Sequence, residues 1–186
     1  PRVGQEAVWR AIERSRLLVL PTGYGKTIAA IGYYGCLRGL GLVNRMLVLV
    51  PSEQQRSDWA NKSGFTALGM ECSGVVDAQG YAYELQNELD GKELFVATYQ
   101  QVLSNPSHFI DLTERSRWLV VFDEAHHLPE DGKWAEAADS IPRDFTLYMS
   151  ATPMRADEKR LRGVSTRAVG NDWEFVPSVF VSNAEA

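Results

Sequence analysis

Five short apolar runs are spread along the chain, and each hands over to a polar, chemically capable segment. The runs are Leu17–Leu20, Arg45–Val50, Leu94–Thr98, Trp118–Phe122 and Phe145–Met149. Unbroken runs of this length, without apolar/polar alternation, predict strands buried on both faces, and hence a parallel sheet covered by helices on both sides. The stretches between them supply the helices. Gln5–Glu13 carries Ala7, Val8, Ala11 and Ile12 at helical spacing. Lys26–Leu37 is a second helix with Ile28, Ile31 and Cys36 turned inward, and Ser52 caps a third that runs through Ala60. Ala82–Leu89 reads as helical, Val75 and Val76 as part of a strand or its flank, and Trp173–Val181 as one further strand. In an open α/β sheet the ligand site lies beyond the carboxyl ends of the strands, so all five polar segments are expected on one edge.

Length and charge narrow the class. A chain of 186 residues that is 45% hydrophobic is expected to form one domain with a full core. No apolar run approaches the roughly 18 residues of a membrane span. Pro1–Arg16 has four arginines and two glutamates but no apolar core of a signal peptide. Two cysteines, Cys36 and Cys72, give neither a disulfide scaffold nor a zinc knuckle, and a cytoplasmic protein without membrane contact is expected. The first residue is proline, which suggests a segment of a longer protein. The net charge of -5 argues against bulk electrostatic binding of nucleic acid. It leaves room for local phosphate contacts from amides and hydroxyls.

The segment after the first run is Pro21-Thr22-Gly23-Tyr24-Gly25-Lys26-Thr27. Two glycines let successive N–H groups curl around an anion, and the helix that starts near Lys26 points its positive end at the same place. Lys26 reaches β- and γ-phosphates, and the Thr27 hydroxyl suits Mg²⁺. The general phosphate-loop pattern wants a glycine where Leu20 stands, so only the compact Gly-x-Gly-Lys-Thr form is met. The fourth run ends in Asp123-Glu124-Ala125-His126, 97 positions after Lys26. Adjacent carboxylates at a strand end suit a magnesium-dependent nucleotide hydrolase: Asp123 for the ion, through water, and Glu124 for the attacking water. A zinc site at Glu124, His126 and His127 is disfavoured because the His-Glu-x-x-His spacing and thiolates are missing. Ser150-Ala151-Thr152 follows the fifth run, and its flanking residues do not form a nucleophile elbow.

These segments, in this order, resemble motifs I, II and III of superfamily 2 helicases, and more narrowly the DEAH-type branch that includes type III restriction enzyme helicase subunits and related DNA translocases. Pro51–Trp59 is similar to motif Ia, and Thr98-Tyr99-Gln100 to the short nucleic-acid-contacting motif before motif II. Arg2 and Gln5 resemble the end of the adenine-recognising N-terminal element. The resemblance implies a RecA-like ATPase domain over 1–186, with about 170–186 as the handover to a second motor domain. It implies that Arg2, Gln5 and Thr22 to Thr27 bind ATP. Thr27 and Asp123 hold Mg²⁺, and Lys26, Asp123, Glu124 and His126 are the catalytic set. Ser150 and Thr152 couple nucleotide state to the strand-binding face, and Pro51, Ser52, Gln55, Thr98 and Tyr99 lie near a nucleic-acid track, DNA first. Trp59 reads as a packing residue.

The implied activity is ATP-driven movement on DNA. An RNA helicase or RNA sensor, and a nucleotide-gated binding module that does not unwind, remain as alternatives. Only 33 residues follow Pro153, too few for the second domain that supplies an arginine finger, so this domain alone is expected to be nearly inactive. The cluster Arg155, Lys159, Arg160 and Arg162 reads as a solvated helix face. No Asn-Lys-x-Asp guanine element or Leu-Ser-Gly-Gly-Gln string occurs, which disfavours GTPases and transport-type ATPases.

Overall fold

The computed structural model describes residues 2–60, 72–75, 93–128, 132–152, 165–170 and 172–182. Seven parallel strands form one sheet in the order β3-β4-β2-β5-β6-β1-β9. They are β1 (Ser15–Val19), β2 (Arg45–Val50), β3 (Cys72–Val75), β4 (Leu94–Thr98), β5 (Trp118–Phe122), β6 (Phe145–Ser150) and β9 (Val179–Phe180). Two further strands, β7 (Thr166–Val169) and β8 (Asp172–Phe175), pair antiparallel as a separate hairpin. The helices are α1 (Val3–Arg10), α2 (Lys26–Gly39), α3 (Glu53–Ala60), α4 (Tyr99–Ser104), α5 (Pro106–Glu114) and α6 (Lys133–Asp139), with a short 3₁₀ turn at Ala125–His127.

Successive residues of a strand face opposite sides of its sheet, and the two cores divide accordingly. Leu18, Met46, Val48, Val50, Val96, Val121 and Met149 pack with Ala30, Tyr33, Tyr34 and Leu37 of α2 and Trp59 of α3. Leu17, Val19, Leu47, Leu49, Ala97, Val120 and Phe122 pack with Val102, Phe109, Leu112 and Ala135 of α4 to α6. Every residue of β4, β5 and β6 is buried, which is why these strands are apolar without alternation.

Several elements depart from the sequence reading. Helix α1 ends at Arg10, not Glu13: Ala11 turns extended, and the buried Arg16 guanidinium donates to the carbonyls of Val8 and Ala11. This side chain satisfies the carbonyls that a longer helix would have paired. Ile28, expected inward, is 54% exposed, and Cys36 is half-buried. Ile31 is buried as expected, and the rest of the inward stripe of α2 runs through Ala29, Ala30, Tyr33, Tyr34 and Leu37. The single strand expected over Trp173–Val181 is two elements, β8 and β9, separated at Val176–Ser178. Helix α4 is an addition to the expected elements, and Thr98 and Gln101 form its capping box, each side chain bonded to the other's backbone N–H. The expected helix at Ala82–Leu89 and the basic cluster at Arg155–Arg162 lie outside the described residues. Among the described residues no helix is long and apolar enough to cross a membrane.

Candidate functional site

The carboxyl ends of β1, β5 and β6 are neighbours in the sheet, so the segments that follow them meet. After β1 the backbone passes through two left-handed glycines, Gly23 (φ 78°) and Gly25 (φ 95°), and α2 begins at Lys26 with Gly25 as its cap. A side chain at Gly25 would be strained by that φ, and its Cβ would meet Gln5 Nε2 at 2.5 Å. Gln5 is buried, and its Nε2 donates to the carbonyls of Tyr24 (3.3 Å) and Gly25 (3.2 Å). Its Oε1 accepts from the Arg2 N–H at 2.9 Å. The Tyr24 ring is buried beneath the Arg2 guanidinium, 4.9 Å from its centroid, and its hydroxyl accepts from the Gly4 N–H. Here Gln5, Arg2 and Tyr24 brace the loop from behind, and Thr22 and Gly23 are exposed at its rim.

A cleft of about 530 Å³ opens in front of the loop, lined by Gly23, Gly25, Lys26, Thr27, Ile28 and Ile31 on one wall. Gln55, Asp58 and Trp59 of α3 form another wall, and Asp123 and Glu124 complete it. Lys26 Nζ and Glu124 Oε1 form a largely buried ion pair at 2.8 Å. Glu124 Oε2 lies 3.4 Å from His126 Nδ1, which is 3.1 Å from Ser150 Oγ. Ser150 Oγ donates to the Thr152 carbonyl at 2.6 Å and accepts from the Thr152 N–H. A polar chain therefore runs from the phosphate loop through Glu124 and His126 to the end of β6. Glu124 is the sole non-glycine with positive φ (50°) among the described residues. That conformation costs on the order of 1–3 kcal/mol and concentrates at functional positions.

Asp123 is 8% exposed. Its Oδ1 accepts from the Glu124 N–H (3.0 Å) and its Oδ2 from Trp59 Nε1–H (2.7 Å). The Tyr99 hydroxyl donates to its carbonyl oxygen at 2.7 Å. Burial pushes the Asp123 carboxyl above the usual range, opposed by the Trp59 bond and the Lys26 charge. Burial, reinforced by the charges of Asp123 and Glu124, raises the Tyr99 phenol well above its usual range.

The residues expected near a nucleic-acid track divide into four places. Pro51 and Thr98 line a second groove of about 340 Å³ with Glu53, Gln100, Gln101 and Ser104. Thr98 is only 3% exposed and spends its hydroxyl on capping α4. Ser52 is exposed, donates to Gln55 Oε1 and accepts from the Gln55 N–H. Gln55 lines the first cleft, not this groove. Tyr99 is 1% exposed and stacks between Phe122 and Trp134, so its ring does not reach the surface. Gln55 and Tyr99 thus stand apart from the groove lined by Pro51 and Thr98. Sequence reasoning missed the Trp59 indole as a polar partner of Asp123. The available signal was that Trp59 is the one bulky apolar side chain in an otherwise polar helix, Glu53–Ala60.

A RecA-like sheet with a glycine-rich loop at one strand end and an Asp-Glu pair two strands away defines a helicase-type ATPase domain. The chain belongs to the family described as type III restriction enzyme, res subunit, whose pattern matches residues 4–155. It is 31% identical over 161 residues to a Halobacterium salinarum protein named "Putative DNA 3'-5' helicase Rad25". That alignment takes in 85% of this chain and 24% of the relative, so the chain spans about a quarter of the relative's length. Among solved structures it resembles the Pyrococcus furiosus Hef helicase domain, with TM-score 0.64 and 22% identity over 85% of this chain and 34% of that one. It also resembles the Sulfolobus solfataricus SWI2/SNF2 ATPase core in complex with dsDNA, with TM-score 0.59 and 18% identity over 74% and 28% of the two chains. At such identities these two structures speak for the fold.

Proposed function

We propose that the chain is the first motor domain of an ATP-dependent DNA helicase or translocase, and that it binds and hydrolyses Mg·ATP in the cleft between the phosphate loop and Asp123-Glu124. The observation that carries the reading is the convergence of Lys26, Thr27, Asp123 and Glu124 on one cleft. The donor set is a hydroxyl and a carboxylate, hard oxygen ligands that suit Mg²⁺ shared with phosphates and water. Thr27 and Asp123 would hold it, and when bound it neutralises charge on the transferring phosphoryl oxygens.

The remaining work falls to this chain's own backbone and side chains. The loop N–H groups and the α2 N-terminus cradle the phosphates. Lys26 leaves Glu124 for them, which frees the Glu124 carboxylate to accept a proton from the attacking water. His126 and Ser150 carry that change towards Thr152 and the end of β6. A second motor domain in a longer protein would add an arginine finger, whose loss costs about 10³ to 10⁵ in rate in other phosphate-loop enzymes. The DNA assignment leans on the named relative and on the SWI2/SNF2 core bound to dsDNA. Titration calorimetry with ADP, with and without Mg²⁺, tests the binding step. Lys26→Ala is expected to abolish it, and a wild-type chain without nucleotide affinity refutes the reading.

A further inference from the structure

We propose that Trp59 and Tyr99 are positioning residues that clamp Asp123 from opposite sides of the sheet and keep its carboxylate turned into the nucleotide cleft. The inference rests on the reading of Asp123 as the carboxylate that faces the metal. It starts from the backbone. Asp123 is the first residue beyond β5, and Glu124 after it is left-handed, so the chain turns sharply at the point where the carboxylate must be held. The Asp123 carbonyl takes its hydrogen bond from the Tyr99 hydroxyl at 2.7 Å. A nearly buried carboxylate needs donors, and the Trp59 indole supplies one at 2.7 Å.

The two donors come from different layers. Trp59 belongs to the core under α1 to α3, and Tyr99 to the core under α4 to α6. Two bonds from opposed layers fix both ends of the residue, which one packed side chain cannot do. Trp59 is 2% exposed yet lines the cleft, so its ring is anchored in the core while its N–H edge serves the site. Groups behind a metal ligand set its orientation, and their loss typically lowers metal affinity about 10- to 100-fold.

Trp59→Phe keeps an aromatic ring and removes the donor; Tyr99→Phe does the same for the phenol. Mg²⁺ titrations of the ADP-loaded chain should show the apparent metal affinity of Trp59→Phe lowered about tenfold. Tyr99→Phe should show a smaller loss, and in both variants the loss of metal affinity should exceed any change in metal-free ADP binding. That split separates positioning from general packing, which would weaken both kinds of binding. In parallel, the Trp59 indole N–H signal of the ¹⁵N-labelled wild type should move when Mg²⁺ is added to the ADP complex. Unchanged metal affinity in Trp59→Phe, or an indole signal indifferent to Mg²⁺, overturns the clamp and leaves the proposed function standing. A wild type that binds no nucleotide overturns both.

Discussion

Glu124→Gln is expected to tighten nucleotide binding while it stops hydrolysis. In the structure Lys26 is held by Glu124 at 2.8 Å, with side-chain exposures of 13% and 23%. Phosphates must take the lysine away from that partner, so part of their binding energy goes into breaking the pair. Exposed ion pairs contribute up to about 1 kcal/mol, and hydrogen bonds to charged groups about 1.5–3 kcal/mol. A pair this well covered sits between, near 1.4 kcal/mol, which is tenfold in Kd. The Glu124 charge also repels incoming phosphates, so both effects have the same sign. Calorimetric titration of wild type and Glu124→Gln with ADP and a non-hydrolysable ATP analogue measures the difference. A variant that binds with equal or weaker affinity would refute the idea that Glu124 competes with the phosphates for Lys26.

Three further outcomes are expected. The Asp123 carboxyl, followed by ¹³C NMR in the metal-free chain, should titrate above the ordinary aspartate value of about 3.9, because burial dominates its environment. The unfolded chain then loses this proton first, so the group's contribution to stability is present below about 3.9 and lost as pH rises through the folded value; a midpoint at or below the ordinary value contradicts this. Gly32→Ala should destabilise the fold in urea by about 1 kcal/mol: a methyl there overlaps the Trp9 indole, whose Nε1 donates to the Ala29 carbonyl, and overpacking at about 1–3 kcal/mol outweighs the helix-propensity gain of about 1. A neutral or stabilised variant would mean that Trp9 swings aside. Single-stranded DNA should shift amides around Ser52, Thr98 and Gln100, beside the Pro51–Thr98 groove, with a weak Kd near 10⁻⁴ to 10⁻⁶ M; shifts confined to the β9 edge count against that placement.

The strands and the phosphate loop were legible in the sequence because their determinants are local. β2, β4 and β5 run as their apolar residues predict, since a strand covered on both faces leaves no polar position to confuse the reading. Gly23 and Gly25 announce left-handed backbone, and Lys26 and Thr27 follow them at the helix start. What the sequence left open depends on contacts between distant segments. Burial of Ile28 could not be decided from helical spacing, because only the packed sheet selects which stripe of α2 faces inward. Tyr99 is expected near a nucleic-acid track, and only the fold shows that its ring is buried and its hydroxyl bonds Asp123, 24 residues away. Trp59 lies 64 residues from the carboxylate it bonds, and no local pattern encodes such a pair. The tertiary structure decides it because β2 and β5 lie side by side, which brings the helix after one strand against the turn after the other.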